Sequence, residues 1–251
     1  SRNLRADGTF DEELFRGRIV NMLESGSDIL DLGACSTRPG SESICEEEEW
    51  RRLEPALNIL ASEHAGVKIS IDTFRPAVVS RAFDIIGPFI VNDVSGGSEE
   101  MWSLLGRLHL PYIAMHTRGT PKNMQNLTDY DNVTEAVREF FVGIAAEADR
   151  HGVEDWILDP GFGFAKTVEQ NWQLLREMSV LQEFGKDILV GLSRKSFLFR
   201  PLGITPAEAL PSTQVADFIA LQNGADILRV HDVAEAVRTI KLYRLFNGVN
   251  N

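Results

Sequence analysis

Seven short apolar runs in this chain each end on residues that bind charge or carry protons. In chain order they deliver Ser36, Thr37 and Arg38; Asp72 and Thr73; Asn92 and Asp93; Met115 and His116; Asp159, followed by Pro160-Gly161-Phe162-Gly163-Phe164-Ala165-Lys166; Ser193, Arg194, Lys195 and Ser196; and Arg229, His231 and Asp232. The types fall into two sets. Asp72, Asn92, Asp159 and Lys195 combine two carboxylates, an amide and an ammonium. That set suits a flat polar heterocycle, because a carboxylate pairs with an edge offering two parallel N–H donors and an amide offers both donor and acceptor. Met115, Phe162 and Phe164 add apolar faces. Arg38, Ser193, Arg194, Arg229 and His231 form the second set, which suits an anion, since guanidinium forks match phosphate oxygens. The N–H groups of a helix expected near residue 197, behind Lys195 and Ser196, favour an anion as well.

Each of these residues alone has an ordinary structural use. An Asp after a strand caps the next helix, "DPG" is a common turn, and the acidic run Glu46 to Glu49 reads as the solvated first turn of a helix, where carboxylates suit the helix dipole. Recurrence of polar groups at one strand end after another sets the functional reading apart.

The elements that must position them are legible from periodicity. Strands are expected at 28–33, 67–72, 89–93, 111–116, 156–159, 188–192 and 226–230. Helical patterns lie between them: residues 11 to 25 carry Phe15, Ile19, Met22 and Leu23 on one face, and Val133, Val137, Phe140, Phe141 and Ile144 form another. Strands alternating with helices imply a parallel sheet with right-handed crossovers. In a (β/α)8 TIM barrel the chemistry gathers at the C-terminal strand ends. The pattern provides seven strands and begins on a helix, so the expected fold is α/β, a (β/α)8 TIM barrel whose first strand is missing from this chain. Residues 1–251 are expected to form one domain.

With 251 residues, 43% of them hydrophobic, the chain can bury a sizeable core. A net charge of -12 argues against nucleic-acid and anionic-membrane partners, and no apolar run is long enough to span a bilayer. Two cysteines, Cys35 and Cys45, are expected as free thiols in a cytoplasmic protein.

The segments "DLGACSTRPG", "ISIDTF", "IVNDVSGG", "AMHTRGTPKNMQ", "ILDPGFGFAKT", "VGLSRKSF" and "GADILRVHDV" resemble, in order and over nearly the whole chain, the motifs of the dihydropteroate synthase family. The resemblance implies a transferase of folate biosynthesis, the target of sulfonamides. Such enzymes condense 7,8-dihydropterin-6-ylmethyl diphosphate with 4-aminobenzoate to 7,8-dihydropteroate and pyrophosphate. By the same resemblance, Asp72, Asn92, Asp159 and Lys195 hold the pterin, with Met115, Phe164 and Gly191 along its faces. Thr37, Arg38, Ser193, Arg229 and His231 take the diphosphate. Thr37, Pro39, Lys195 and Ser196 shape the aminobenzoate site. Asp72, Lys195, Arg229 and His231 are the implied catalytic groups. The family also implies Mg2+, whose Asn ligand would precede Ser1, and a homodimer built on helices near the C-terminal end. Two positions depart from the pattern: Cys35 stands where the family has Glu, and Ala165 where it has Gly, a small change unless φ is positive there. A pterin-binding methyltransferase domain serving a corrinoid protein would share the pterin pocket but has no use for "STRPG", "SRKS" and "RVHD". A non-catalytic pterin-binding barrel is the remaining alternative.

Overall fold

Short apolar runs form the strands here, and helices alternate with them along the chain. The computed structural model describes residues 3, 9–34, 44–119 and 123–249. The chain divides into two units, Ser1–Ala114 with Ala146–Trp156, and Met115–Ala145 with Ile157–Asn251.

In the first unit β1 (Ile29–Gly33), β2 (Lys68–Asp72), β3 (Ile90–Asp93) and the start of β4 (Tyr112–Met115) are parallel neighbours in that order. Gly33 is in register with Asp72, and Asp72 with Asn92, so the strand ends come level with one another. Between the strands lie α1 (Glu12–Glu24), α2 (Glu46–Glu63), α3 (Pro76–Ile86) and α4 (Glu99–Leu108). Their starts follow from local chemistry. Asp11 accepts from the Leu14 N–H at 3.1 Å and Ser98 from the Met101 N–H at 3.1 Å. Pro76 opens α3, where its missing N–H costs nothing.

Two expectations about these helices need correction. Phe15 and Ile19 of α1 are buried, but Met22 is 37% exposed, so the apolar face is narrower than its spacing suggested. The acidic turn of α2 is not wholly solvated: Glu49 is 1% exposed and bonds Arg75, which also donates to the Ile44 carbonyl at 2.5 Å. A buried carboxylate is tolerated because a guanidinium accompanies it.

In the second unit the parallel pattern continues. The His116 N–H donates to the Asp159 carbonyl at 2.9 Å, and the Leu158 N–H to the Asp187 carbonyl at 2.9 Å. All four residues of β5 (Trp156–Asp159) are buried, as in a parallel sheet covered on both faces. β6 (Leu189–Val190) pairs with β7 (Ile227–Leu228) over two residues, flanked by bonds from the Asp226 and Ile227 N–H groups to the Ile188 carbonyl at 2.9 and 3.1 Å and from the Arg229 N–H to the Val190 carbonyl at 2.8 Å. The runs 188–192 and 226–230 therefore leave the ladder sooner than their hydrophobicity predicts, which frees the residues that follow to build loops. α5 (Val133–His151) buries Val133, Val137, Phe141 and Ile144. α6 (Val168–Glu177) starts at a capping box of Thr167 and Gln170, and α7 (Ser196–Phe199), α8 (Leu210–Gln222) and α9 (Val233–Phe246) complete the unit. Among the described residues no helix is long and apolar enough to cross a membrane.

Candidate active site

The strand ends of the first unit form a network of acceptors. Asn92 is 1% exposed, and its Nδ2 donates to Asp31 Oδ1 at 3.3 Å. Ser70 Oγ donates to the same oxygen at 2.6 Å. These bonds run across β1, β2 and β3 and orient the carboxamide. Asn92 Oδ1 is left buried, with no hydrogen-bond partner among the described residues. An orphaned buried acceptor costs about 1–3 kcal/mol unless a ligand supplies a donor. Asp72 ends β2, half-buried, in register with Asn92. Asp93 serves the fold instead. It accepts from the Ser95 N–H at 2.7 Å and from the Tyr112 hydroxyl at 3.2 Å, and burial pushes its carboxyl above the usual range.

The strand ends of the second unit carry the cations. Asp159 is 2% exposed, and its Oδ1 accepts from the Gly161 N–H at 2.8 Å. Its Oδ2 makes no hydrogen bond among the described residues and lies 3.6 Å from Arg229 Nη2. The Arg229 guanidinium passes over Gly191, where a Cβ would stand 3.3 Å from Nε; glycine leaves room for it. Lys195 Nζ donates to the Phe162 carbonyl and sits 4.9 Å from the centre of the Phe164 ring. Burial lowers the Lys195 pKa to about 7; Asp159 raises it and Arg229 lowers it further. His231 Nδ1 is 2.9 Å from Ser193 Oγ. Ser196 is the first residue of α7. Met115 and Phe162 are buried, Phe162 stacked on Phe197 at 6.2 Å, and Phe164 is half-buried beside Lys195.

One member of the expected anion set is engaged elsewhere. Arg194, at φ 54, donates twice to Asp232 at 2.9 Å and also to the Pro206 and Ala207 carbonyls at 3.1 and 3.0 Å. Its fork closes a loop rather than waiting for phosphate. Ala165 is at φ 47, so the departure from glycine there does place a Cβ in the left-handed region. Thr37, Arg38 and Pro39, with Cys35 and Ser36, lie outside the described residues.

Sequence reasoning missed Asp31, which orients Asn92, and named His116 and Lys166 at the strand ends without giving Lys166 a role. Lys166, 4% exposed, and His116, 3% exposed, face each other with Nζ 2.9 Å from Nδ1. No pattern in the chain marks that lysine as buried.

The expected magnesium finds no cage here. Among the described residues the one group of three potential ligands is Glu99, Glu147 and His151, on α4 and α5. Arg150 already bonds both of these glutamates, and none of the expected substrate-binding residues belongs to the group. These donors do not fit the implied role.

A family model described as "Pterin binding enzyme" matches residues 6–231. The dihydropteroate synthase of Synechocystis is 42% identical over 226 residues, covering 88% of this chain and 78% of that protein. The dihydropteroate synthase of Clostridium difficile, solved in the presence of pteroic acid, superposes with a TM-score of 0.87 at 33% identity, over 94% of this chain and 88% of that one. That of Thermus thermophilus, solved with 4-aminobenzoate, gives 0.85 at 36% identity, over 91% and 88%. The α/β barrel class expected from the strand and helix alternation is the fold this chain shares with them.

Proposed function

The chain belongs to the pterin-binding enzyme family, among its dihydropteroate synthases, and from that premise we propose that it condenses 7,8-dihydropterin-6-ylmethyl diphosphate with 4-aminobenzoate to 7,8-dihydropteroate and pyrophosphate. It is a transferase. The observation that carries the reading is the cluster in the second unit: an Asp159 oxygen without a hydrogen bond, flanked by Arg229, in a unit whose neighbouring strand ends carry Lys195 and the Ser193–His231 pair.

In this reading the pterin methylene–oxygen bond breaks and both electrons leave with the diphosphate. The arylamine lone pair forms the new carbon–nitrogen bond, and the amine proton passes to the released pyrophosphate or to water. Arg229, His231 and Ser193 face the charge that grows on the leaving group, and a positioned donor of this kind is worth about 10²–10³ in rate. Arg38 and Thr37 are assigned to the same anion by resemblance. Asp72, Asn92, Asp159 and Lys195 are assigned to the pterin, with Met115, Phe164 and Gly191 along its faces. The acceptor oxygens of Asn92 and Asp159 suit the N–H donors of a pterin edge. Lys195, Ser196, Thr37 and Pro39 are assigned to 4-aminobenzoate. The arylamine is neutral near pH 7, so positioning rather than a strong base drives its attack. Magnesium, if bound with the diphosphate, would neutralise part of its charge; none of the described residues is assigned to hold it.

The reading extends to a homodimer. Val215 on α8 and Leu242, Leu245 and Phe246 on α9 are exposed, from 61% to 72%, and Phe218 packs on Phe246 at 5.7 Å, whereas Leu221 belongs to the core. Light scattering on the purified protein tests that. A cytoplasmic location accords with the exposed free thiol of Cys45.

The decisive assay is pyrophosphate release that requires both substrates. Methyl transfer from methyltetrahydrofolate without such release would refute the reading in favour of the methyltransferase alternative.

A further inference from the structure

Lys166 has no place in the assignments above, although it is buried. An ammonium has three donors, and Nζ meets three acceptors: His116 Nδ1 at 2.9 Å, the Gly161 carbonyl at 3.0 Å and the Phe164 carbonyl at 3.2 Å. The imidazole is suited to accept, because burial, then the charges of Lys166 and Arg118, lower the His116 pKa to about 2. Burying a long cationic side chain is costly in desolvation and rotamer freedom. Hydrogen bonding to all three donors offsets that cost, and the acceptors lie in or against one turn.

That turn follows β5 and is locally unfavourable. Gly161, Gly163 and Ala165 all have positive φ, at 69, 79 and 47. A Cβ at Gly161 would collide with the His116 carbonyl, so the turn presses directly on the end of β4. Three features of the site come from it: the Gly161 N–H on Asp159 Oδ1, the Phe162 carbonyl that accepts from Lys195, and the Phe164 ring beside Lys195 Nζ.

We infer that Lys166 is a positioning residue, a buried ammonium that ties His116 to the Gly161 and Phe164 carbonyls and so fixes the turn that aims Asp159 and Lys195 at the pterin. This inference rests on the reading of those residues as a pterin site. The charged and titratable groups facing Lys166 are His116, Asp159, Lys195 and Arg118. Burial, opposed by Asp159 and assisted by Lys195 and Arg118, lowers its own pKa to about 7, so the tie weakens above neutrality.

Lys166→Met keeps the volume and removes every donor. The expected result is a rise of about tenfold in KM for the pterin diphosphate, matched in its Kd by calorimetry, with a smaller rise in KM for 4-aminobenzoate, whose assigned site shares only Lys195 with that turn. In the ligand-free protein the Lys195 ammonium, followed by NMR, is expected to change its titration once the turn carrying Phe162 and Phe164 is released, because its burial and its approach to Asp159 depend on that turn. If Lys166→Met does not fold, His116→Phe removes one of the three acceptors and carries the same two readouts with smaller shifts. An unchanged Lys195 titration, or equal losses for both substrates, overturns the inference. A wild-type protein that releases no pyrophosphate, while the Lys195 shift is still seen, overturns the proposed reaction and leaves the positioning role standing.

Discussion

The strand ends of the first unit present acceptors held by strand register, whereas those of the second present cations held by a strained turn. Asp31, Ser70 and Asn92 sit on adjacent parallel strands, and pairing alone brings them within 2.6 to 3.3 Å. Asp159 ends β5, Lys195 follows β6 and Arg229 follows β7, and carbonyls of the Gly161–Phe164 turn hold the lysines. Backbone register is rigid and insensitive to pH. A turn tied by ammonium groups of lowered pKa is neither. The first unit is therefore suited to recognition, and the second to developing charge and pH response.

The widest separation is expected between two arginines. Arg229→Ala should lower kcat by about 10²–10³, read as pyrophosphate release, and lysine should not restore the fork. Arg194→Ala should chiefly lower Tm, because its guanidinium closes a loop on Asp232. An equal loss of kcat from both variants would erase the distinction.

Next is pH. If the site needs the lysines charged, kcat/KM should fall as pH rises through about 7, by up to about tenfold per unit. Stability should move the other way. Both folded-state lysine pKa values lie below the ordinary lysine value of 10.5, so the unfolded chain binds more protons between about 7 and 10.5, and the contribution of these groups to stability rises across that window. Calorimetric Tm and steady-state rates over pH 6–9.5 check this; parallel trends would contradict it.

Asn92→Ala should raise KM for the pterin diphosphate about tenfold and leave kcat nearly unchanged, because a hydrogen bond to a buried orphan acceptor is worth about 1–2 kcal/mol. A large kcat effect would blur the contrast between the two units. The smallest change is Ala165→Gly. Relieving a left-handed alanine at φ 47 should stabilise the protein by about 1 kcal/mol, or roughly 2–4 °C in Tm.

Much of this was legible before any fold. Seven apolar runs became the seven strands seen among the described residues, and the polar residues expected after the last six lie at or just beyond those strands, while Ser36, Thr37 and Arg38 lie outside the described residues. The failures share a cause. Glu49 reads as one acid of four on a helix start, and its burial depends on Arg75 arriving from 26 residues away. Arg194 reads as an anion binder until Asp232, 38 residues on, claims its fork. Lys166 reads as one more polar residue after a strand until His116, 50 residues earlier, closes over it. The two-residue pairing of β6 with β7 was likewise hidden, because hydrophobicity reports burial and not hydrogen-bond register.

The sequence by itself determined the alternation of strands and helices, the polar residues at the strand ends and their division into heterocycle-binding and anion-binding types. These follow from periodicity and side-chain chemistry, which are local. Only the tertiary structure decided which partners each cation meets. Arg194 is held by Asp232 and Lys166 by three acceptors, while Arg229 lies 3.6 Å from an Asp159 oxygen that has no hydrogen bond among the described residues. The reason is physical. A charged side chain's role is set by the partners within reach of its tip, and here those partners come from segments far apart in the chain.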